Sequence, residues 1–143
     1  MNNTPAANRL HIGIFGKRNS GKSTLINALT NQEIALVSSE PGTTTDPVYK
    51  AMEIAGIGPC MFVDTAGFDD FGPLGEKRIE KTQAVLEKID IAILVVATEE
   101  LTYEKEWLDS VKSKKIPYMI VLNHNDSIKS WVEAELGEEV LLI

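Results

Sequence analysis

The pattern of polar and apolar residues in the first half of the chain predicts a strand, then a helix, then a hairpin. Residues 11–15 form a nearly continuous apolar run that ends at a glycine, which is typical of a buried strand covered on both faces. Residues 22–29 carry two leucines four positions apart, the spacing of one helical face. Residues 47–54 alternate and residues 60–63 are apolar, and the glycines between them indicate a hairpin.

Three helix-and-strand units follow in the second half. Each helical stripe precedes an apolar strand, at residues 91–97, 117–122 and 140–143. The stripes are Ile79, Leu86 and Ile89, then Tyr103, Trp107, Leu108 and Val111, then Ile128, Trp131, Val132 and Leu136. This order predicts a three-layer α/β/α sandwich with a mostly parallel sheet and one antiparallel strand.

The composition is that of one globular domain. The 143 residues are 43% hydrophobic and 24% charged, which excludes disordered, collagen-like and membrane proteins. The apolar runs are too short to span a membrane and no signal-peptide core is present, so we expect a cytoplasmic protein without membrane contacts. We expect residues 1–8 to be a flexible lead and residues 9–143 to be one domain that stops before its last helix.

The net charge of −7 is unevenly distributed. The first 63 residues hold five basic and four acidic residues, whereas the remainder holds nine basic and 17 acidic residues. Because a broad basic footprint is missing, we expect no nucleic-acid partner. Cys60 is the only cysteine, which excludes a disulfide framework and an iron–sulfur cluster within this segment, and we expect it to be a buried small hydrophobe.

The clearest chemical signal is segment 16–23, Gly-Lys-Arg-Asn-Ser-Gly-Lys-Ser, which matches the phosphate-binding loop. It lies between a predicted strand and a predicted helix, where backbone N–H groups and the helix dipole favour an anion. Lys22 would neutralise the β- and γ-phosphates, and the Ser23 hydroxyl would bind Mg²⁺. The alternative is an ordinary glycine turn. The candidate nucleotide contacts are Gly16, Lys17, Arg18, Asn19, Ser20, Gly21, Lys22, Ser23 and Thr24.

Two further segments follow predicted strands. In Asp64-Thr-Ala-Gly67, Asp64 would supply a second Mg²⁺ contact and the Gly67 N–H could bind the γ-phosphate. In Asn123-His-Asn-Asp126, the Asp126 carboxylate could accept two hydrogen bonds from guanine and would be unpaired against adenine. The alternatives are a turn or helix-capping aspartate in the first segment and an Asx turn in the second. The candidates are Asp64, Thr65, Ala66, Gly67, Asn123, His124 and Asp126.

The order of these three elements resembles the Era-like and TrmE-like branch of translation-factor-class GTPases, with a Ras-like P-loop fold, over essentially the whole chain. Segment 41–53, Pro-Gly-Thr-Thr-Thr-Asp-Pro-Val-Tyr-Lys-Ala-Met-Glu, is similar to the GTPase domain of the FeFe-hydrogenase maturation (HydF) family. Thr45 stands where relatives that modify tRNA or assemble ribosomes carry arginine. The resemblance implies that Thr44, beside Thr43, reaches Mg²⁺ and the γ-phosphate. His124 stands where most relatives carry lysine.

The resemblance implies a Mg²⁺-dependent switch that hydrolyses GTP to GDP and phosphate. Phe68 occupies the position where many switch GTPases carry the glutamine that orients water, so intrinsic hydrolysis should be slow. Asn19 matches the position that helps hold K⁺ in the resembling GTPases, and a cation there would neutralise transition-state charge. The catalytic candidates are Lys22, Thr44, Gly67 and Asn19.

The partners implied by the resemblance are hydrogenase maturation proteins and the apo-hydrogenase, with a homodimer formed through domains outside this chain. Two alternatives stay open. One is a slow, nucleotide-gated scaffold for partner exchange, which Phe68 favours, whereas Asn19 favours an enzyme. The other is a tRNA-modification or ribosome-assembly GTPase of the same branch.

Several other conspicuous residues are expected to be structural. Trp107 and Trp131 lie on helical stripes and should belong to the core or dock a helix, without stacking on a base. Four glutamates form an acidic cluster in the sequence: Glu99, Glu100, Glu104 and Glu106. We expect this cluster to be a solvated face and not a metal site.

Overall fold

A computed structural model describes residues 9–17, 20–30, 48–54, 58–65, 75–123 and 125–142. Strands and helices alternate through these ranges as the sequence pattern predicts. The strands are β1 (Leu10–Gly16), β2 (Val48–Ile54), β3 (Gly58–Asp64), β4 (Ile91–Val96), β5 (Tyr118–Leu122) and β6 (Leu141–Leu142). The helices are α1 (Lys22–Thr30), α2 (Gly75–Leu86), α3 (Thr102–Lys114) and α4 (Lys129–Leu136), with a short 3-10 helix at Asp126–Ile128.

The strands form one sheet in the order β2-β3-β1-β4-β5-β6. Four neighbouring pairs in it are parallel: β1 with β3, β1 with β4, β4 with β5, and β5 with β6. The edge strand β2 runs antiparallel to β3, with Val48 opposite Asp64 and Ile54 opposite Gly58. The parallel strands therefore all end on the same side of the sheet.

Helices cover both faces of the sheet and create two cores. α1 packs on one face through Leu25 and Ile26, which join a buried cluster with Ile14 of β1. Buried residues of α2, α3 and α4 cover the other face, where the rings of Trp107 and Phe15 lie 5.4 Å apart. Two cores arise because successive strand residues point to opposite faces. The predicted three-layer α/β class is confirmed.

Two details differ from the helical stripes that the sequence predicts. α2 ends at Leu86, so Ile89 is buried from the turn that follows the helix and not from the helix itself. Trp131 is 48% exposed and lies outside the core. Its indole N–H donates a hydrogen bond to the Glu99 carbonyl at 3.1 Å, so this ring docks α4 onto the segment before α3.

Other predicted burial matches the structure. Trp107 is 2% exposed and Cys60 is fully buried. Met119, Leu141 and Leu142 are 43–53% exposed on the last two strands of the sheet. Among the described residues, no helix is long and apolar enough to cross a membrane.

Candidate nucleotide-binding site

The predicted motifs follow the carboxyl ends of parallel strands, on one side of the sheet. β1 ends at Gly16, β3 at Asp64, β4 at Val96 and β5 at Leu122, and these strands are parallel. Ligands of open parallel sheets bind outside the carboxyl ends of the strands. The topology therefore brings the phosphate loop and the segment after β5 to the same side of the molecule.

The phosphate loop encloses a lysine. The Ser20 N–H donates to the Lys17 carbonyl at 3.1 Å and closes a turn before α1. Lys22 is only 7% exposed, and its ammonium donates to the carbonyls of Gly16 at 3.3 Å and Lys17 at 2.9 Å. Its positive charge is therefore held inside the loop at the N-terminus of α1, where the helix dipole also favours an anion.

Asn123 packs directly against this loop. Its side-chain amide donates to the Ser20 carbonyl at 3.0 Å, and the residue is 5% exposed. Gly21 has a φ of +100°, and a Cβ at this position would lie 1.9 Å from the Asn123 amide nitrogen. Only glycine combines this backbone conformation with such a close approach. The base motif is thus joined to the phosphate loop across 103 positions of sequence.

The segment after Asn123 presents a carboxylate to solvent. Asp126 begins the 3-10 helix and is exposed. Asn125, for which the sequence predicts no role, donates from its side chain to the Ala97 carbonyl at 3.1 Å. This bond anchors the segment to the end of β4. Asparagine is common in many kinds of turn, so the sequence alone does not indicate this contact.

Other candidates have local structural contacts. The Thr65 hydroxyl donates to the Ile14 carbonyl at 2.9 Å and ties the end of β3 to β1. Thr24 is exposed on α1. Ser23 is the second residue of α1, and Asp64 is the last residue of β3, which pairs with β1. Their roles in binding Mg²⁺ stay predictions.

Several predicted site residues lie outside the described residues, and their roles stay predictions. They are Arg18, Asn19, Thr43, Thr44, Ala66, Gly67 and His124, together with Thr45 and Phe68.

Lys17, predicted as a nucleotide contact, has its ammonium beside the segment between β4 and α3. The nitrogen lies 3.0 Å from the Thr98 hydroxyl, 3.2 Å from the Glu100 carboxylate and 3.6 Å from the Glu104 carboxylate. Glu104 is 1% exposed, so the prediction that the acidic cluster is a solvated face is wrong at this residue. Tertiary packing around α3 buries it beside a cation.

The two carboxyls that share Lys17 differ in their acidity. Hydrogen bonds from the Thr102 hydroxyl and backbone N–H lower the pKa of Glu100, with a further contribution from Lys17. Burial raises the pKa of Glu104, and the charge of Lys17 opposes that effect. The charge of Lys17 therefore favours the ionised form of the buried carboxyl, as does a backbone hydrogen bond to Glu104.

The donor set of the phosphate loop suits an anion with several oxygen atoms. The buried Ser20 hydroxyl has no hydrogen-bond partner among the described residues. Lys22, which is also buried, follows two positions later in the sequence. The described ranges hold no cluster of three His, Cys, Asp or Glu residues that could bind a metal. A Mg²⁺ ion here would depend on phosphate oxygens and water as well as protein side chains, as Mg²⁺ commonly does.

Comparison with known proteins gives a family match. A family model described as 50S ribosome-binding GTPase matches residues 11–124. GTPase Der of Wolinella succinogenes is 48% identical over 94 residues, covering 64% of this chain and 20% of its own length. The tRNA modification GTPase MnmE of Thermoanaerobacter sp. is 40% identical over 132 residues, covering 90% of this chain and 28% of its own length. The matched part of this chain thus spans 20–28% of the length of these two relatives.

A solved structure extends the match to the fold. Era in complex with MgGDPNP and a fragment of 16S ribosomal RNA superposes with a TM-score of 0.70 at 24% identity, covering 93% of this chain and 50% of that chain. The Ras-like P-loop fold is therefore confirmed. Because that protein of the same fold is seen with RNA, the fold gives no support to the expectation that a nucleic-acid partner is absent.

Proposed function

This chain belongs to the 50S ribosome-binding GTPase family, and from that premise we propose that it binds GTP at the edge described above and hydrolyses it to GDP and phosphate. The observation that carries the proposal is the contact of Asn123 with Gly21 and Ser20. It joins a base-reading segment to a phosphate-binding loop, which is the arrangement that one nucleotide spanning both would require.

Each part of this site has a distinct chemical role. Lys22 would neutralise phosphate charge, and the loop N–H groups at the start of α1 would bind phosphate oxygens. Asp126 would accept hydrogen bonds from guanine N1–H and N2–H₂. Ser23, Thr44 and Asp64 would hold Mg²⁺, directly or through water. The ion offsets negative charge on the phosphate oxygens when it is bound.

We propose a second cation, K⁺, held with the help of Asn19. Its support is the match of Asn19 to the K⁺-binding position of the resembling GTPases, together with phenylalanine at position 68 in place of a water-orienting glutamine. Without that glutamine, transition-state charge would need another partner, and a monovalent cation beside the phosphates could supply it.

The relatives favour an RNA-linked role over hydrogenase maturation. Relatives that match up to 90% of this chain are named tRNA modification GTPase MnmE, and another is named GTPase Der. We infer that the GTP switch serves tRNA modification or ribosome assembly. The hydrogenase-maturation role is the second candidate, and it rests on Gly42-Thr-Thr-Thr-Asp46, where Thr45 replaces the arginine of the RNA-linked branch.

Phosphate release from GTP tests the activity. We expect the purified chain with Mg²⁺ to hydrolyse GTP and not ATP, faster in KCl than in NaCl at equal ionic strength. Failure to bind GTP would overturn the proposed function. Tight GTP binding without turnover in either salt would instead favour the nucleotide-gated scaffold, and equal rates in the two salts would overturn the K⁺ proposal alone.

A further inference from the structure

Lys17 contacts two different parts of the molecule through its two ends. Its ammonium lies 3.2 Å from the Glu100 carboxylate and 3.6 Å from that of Glu104, at the beginning of α3. Its backbone carbonyl accepts hydrogen bonds from the Lys22 ammonium at 2.9 Å and the Ser20 N–H at 3.1 Å. One residue therefore joins α3 to the groups that shape the phosphate loop.

The Glu104 end of this connection is buried. Its side chain is 2% exposed, whereas that of Glu100 is 60% exposed. One carboxylate oxygen of Glu104 and the indole N–H of Trp107, one turn further along α3, have no hydrogen-bond partner among the described residues. Lys17 is accordingly the cation that compensates a buried charge, and a buried pair resists separation much more than an exposed one.

The phosphate-loop end of this connection is the Lys17 carbonyl, which accepts a hydrogen bond from Lys22. The Lys22 ammonium donates to the Lys17 carbonyl at a shorter distance than to the Gly16 carbonyl, 2.9 Å against 3.3 Å. Because the Lys17 ammonium and this carbonyl belong to one residue, contacts that fix the side chain also restrict where the carbonyl can lie beside Lys22. Binding of a phosphate depends on the position of the Lys22 charge because charge-assisted hydrogen bonds are short and directional.

We propose that Lys17 and Glu104 are a positioning pair that couples the conformation of the phosphate loop to α3. The pair holds the Lys17 carbonyl where it presents Lys22 to the bound phosphate, and nucleotide binding in turn stabilises the beginning of α3. This inference rests on the proposed GTP site and adds a regulatory contact to it. Coupling of this kind is reciprocal, so it can be measured from either end.

A double-mutant cycle tests the pair from the phosphate end. We would measure GDP affinity and GDP dissociation rate for the whole chain, for Lys17→Met and Glu104→Gln, and for the double variant. We expect each single change to weaken GDP binding by on the order of tenfold. The double variant should bind GDP no more weakly than the weaker-binding single variant. Lys17→Arg should restore affinity because it keeps the charge.

Matched variants separate positioning from simple loss of stability. Glu100→Gln removes the exposed carboxylate at the same ammonium, and Lys105→Gln removes an exposed ion pair with Glu135 at 2.9 Å on the same helix. Both should change GDP affinity by less than about twofold. Thermal unfolding of every variant without nucleotide shows whether each one folds. If Glu104→Gln does not fold, Lys17→Met tests the pair.

Hydrogen exchange tests the pair from the helix end. GDP should slow exchange of backbone amides in residues 102–114 of the unmodified chain and have no such effect in Glu104→Gln. Additive single effects on GDP affinity, or equal protection of this helix in both proteins, would overturn the inference. Absence of GDP binding in the unmodified chain would overturn the proposed function instead, so the two failures are distinguishable.

Discussion

The phosphate loop and the segment after β5 lie side by side but are organised in opposite ways. In the phosphate loop, Ser20 and Lys22 are buried and the lysine already donates to loop carbonyls. After β5, Asn123 is buried, whereas Asp126 is exposed to solvent. The phosphate side is thus preorganised around a charge, whereas the proposed base acceptor is exposed to solvent.

Under the proposed function, this difference would separate nucleotide affinity from base selectivity. An enclosed ammonium is already desolvated, so binding a phosphate strengthens an interaction without a large new cost. An exposed carboxylate must lose water and recovers that cost only from a base with two matching donors. We expect damage to the phosphate loop to abolish binding and turnover, and damage to Asp126 to change which base is bound.

The largest effect should come from Lys22→Ala, because it removes the enclosed charge. We expect GTP hydrolysis to fall by about 10²–10³-fold or more in a phosphate-release assay. Lys88→Ala is a suitable control, since Lys88 is exposed after α2 and away from the loop. Turnover of the Lys22 variant at the rate of the unmodified chain would refute the phosphate-loop assignment.

Asp126→Asn should change the base that the protein prefers from guanine to xanthine. The amide offers a donor that xanthine can accept at C2 but guanine cannot, so GTP affinity should fall by roughly 10²-fold or more while xanthosine triphosphate binding rises. Titration calorimetry with both nucleotides measures the exchange. Unchanged GTP affinity would remove Asp126 from the base site, whereas equal losses for both nucleotides would contradict the proposed separation of roles.

Gly21→Ala should separate the two loops. The added Cβ would clash with the Asn123 amide, and we expect nucleotide affinity to fall by about tenfold, roughly the energy of a lost hydrogen bond to this segment. Gly58→Ala is the matched control because Gly58 has nearly the same φ, +102°, with no atom within 4 Å of the added Cβ. It should lose stability from backbone strain and keep nucleotide affinity. Equal affinity losses in both variants would show that the Asn123 contact is unimportant.

Glu138→Gln should leave both loops unaffected and change only acid stability. Hydrogen bonds from Lys112 at 2.9 Å and Tyr118 at 2.8 Å lower the pKa of Glu138. A carboxyl with a lowered folded-state pKa stabilises the fold above its ordinary value of 4.5 and loses that contribution as the pH falls through the folded-state pKa. Urea unfolding should therefore show a difference of at most about 1 kcal/mol from the unmodified chain at pH 7 that shrinks below pH 4.5. A difference independent of pH would contradict this.

Local patterns in the sequence were sufficient for much of the architecture. β1 and α1 follow from an apolar run and a helical spacing, and the phosphate loop between them is a contiguous motif. The buried stripe of α3 was likewise predicted around Trp107. Each of these features is determined by residues within a few positions of one another.

Contacts between distant segments could not be predicted in this way. Glu104 belongs to a group of glutamates that the sequence predicts to be solvated, whereas the structure buries it beside Lys17, far away in sequence. Lys17 itself belongs to a nucleotide-binding motif, yet its ammonium lies beside α3. The same limit applies to Asn125 and Trp131, whose partners Ala97 and Glu99 lie 28 and 32 positions away. A spacing rule contains no information about such pairs.

The register of the antiparallel edge has a mechanical consequence. Val48 lies opposite Asp64, so the chain enters the sheet before Val48 at the same height at which it leaves the sheet after Asp64. The two segments that carry Thr44 and Gly67, both proposed to sense the γ-phosphate, are thus attached to the sheet at one pair of opposite residues. A force or a partner acting on the outer strand would reach both attachments together. Under the proposed function, loss of the γ-phosphate would therefore act on both attachments of the edge strand together.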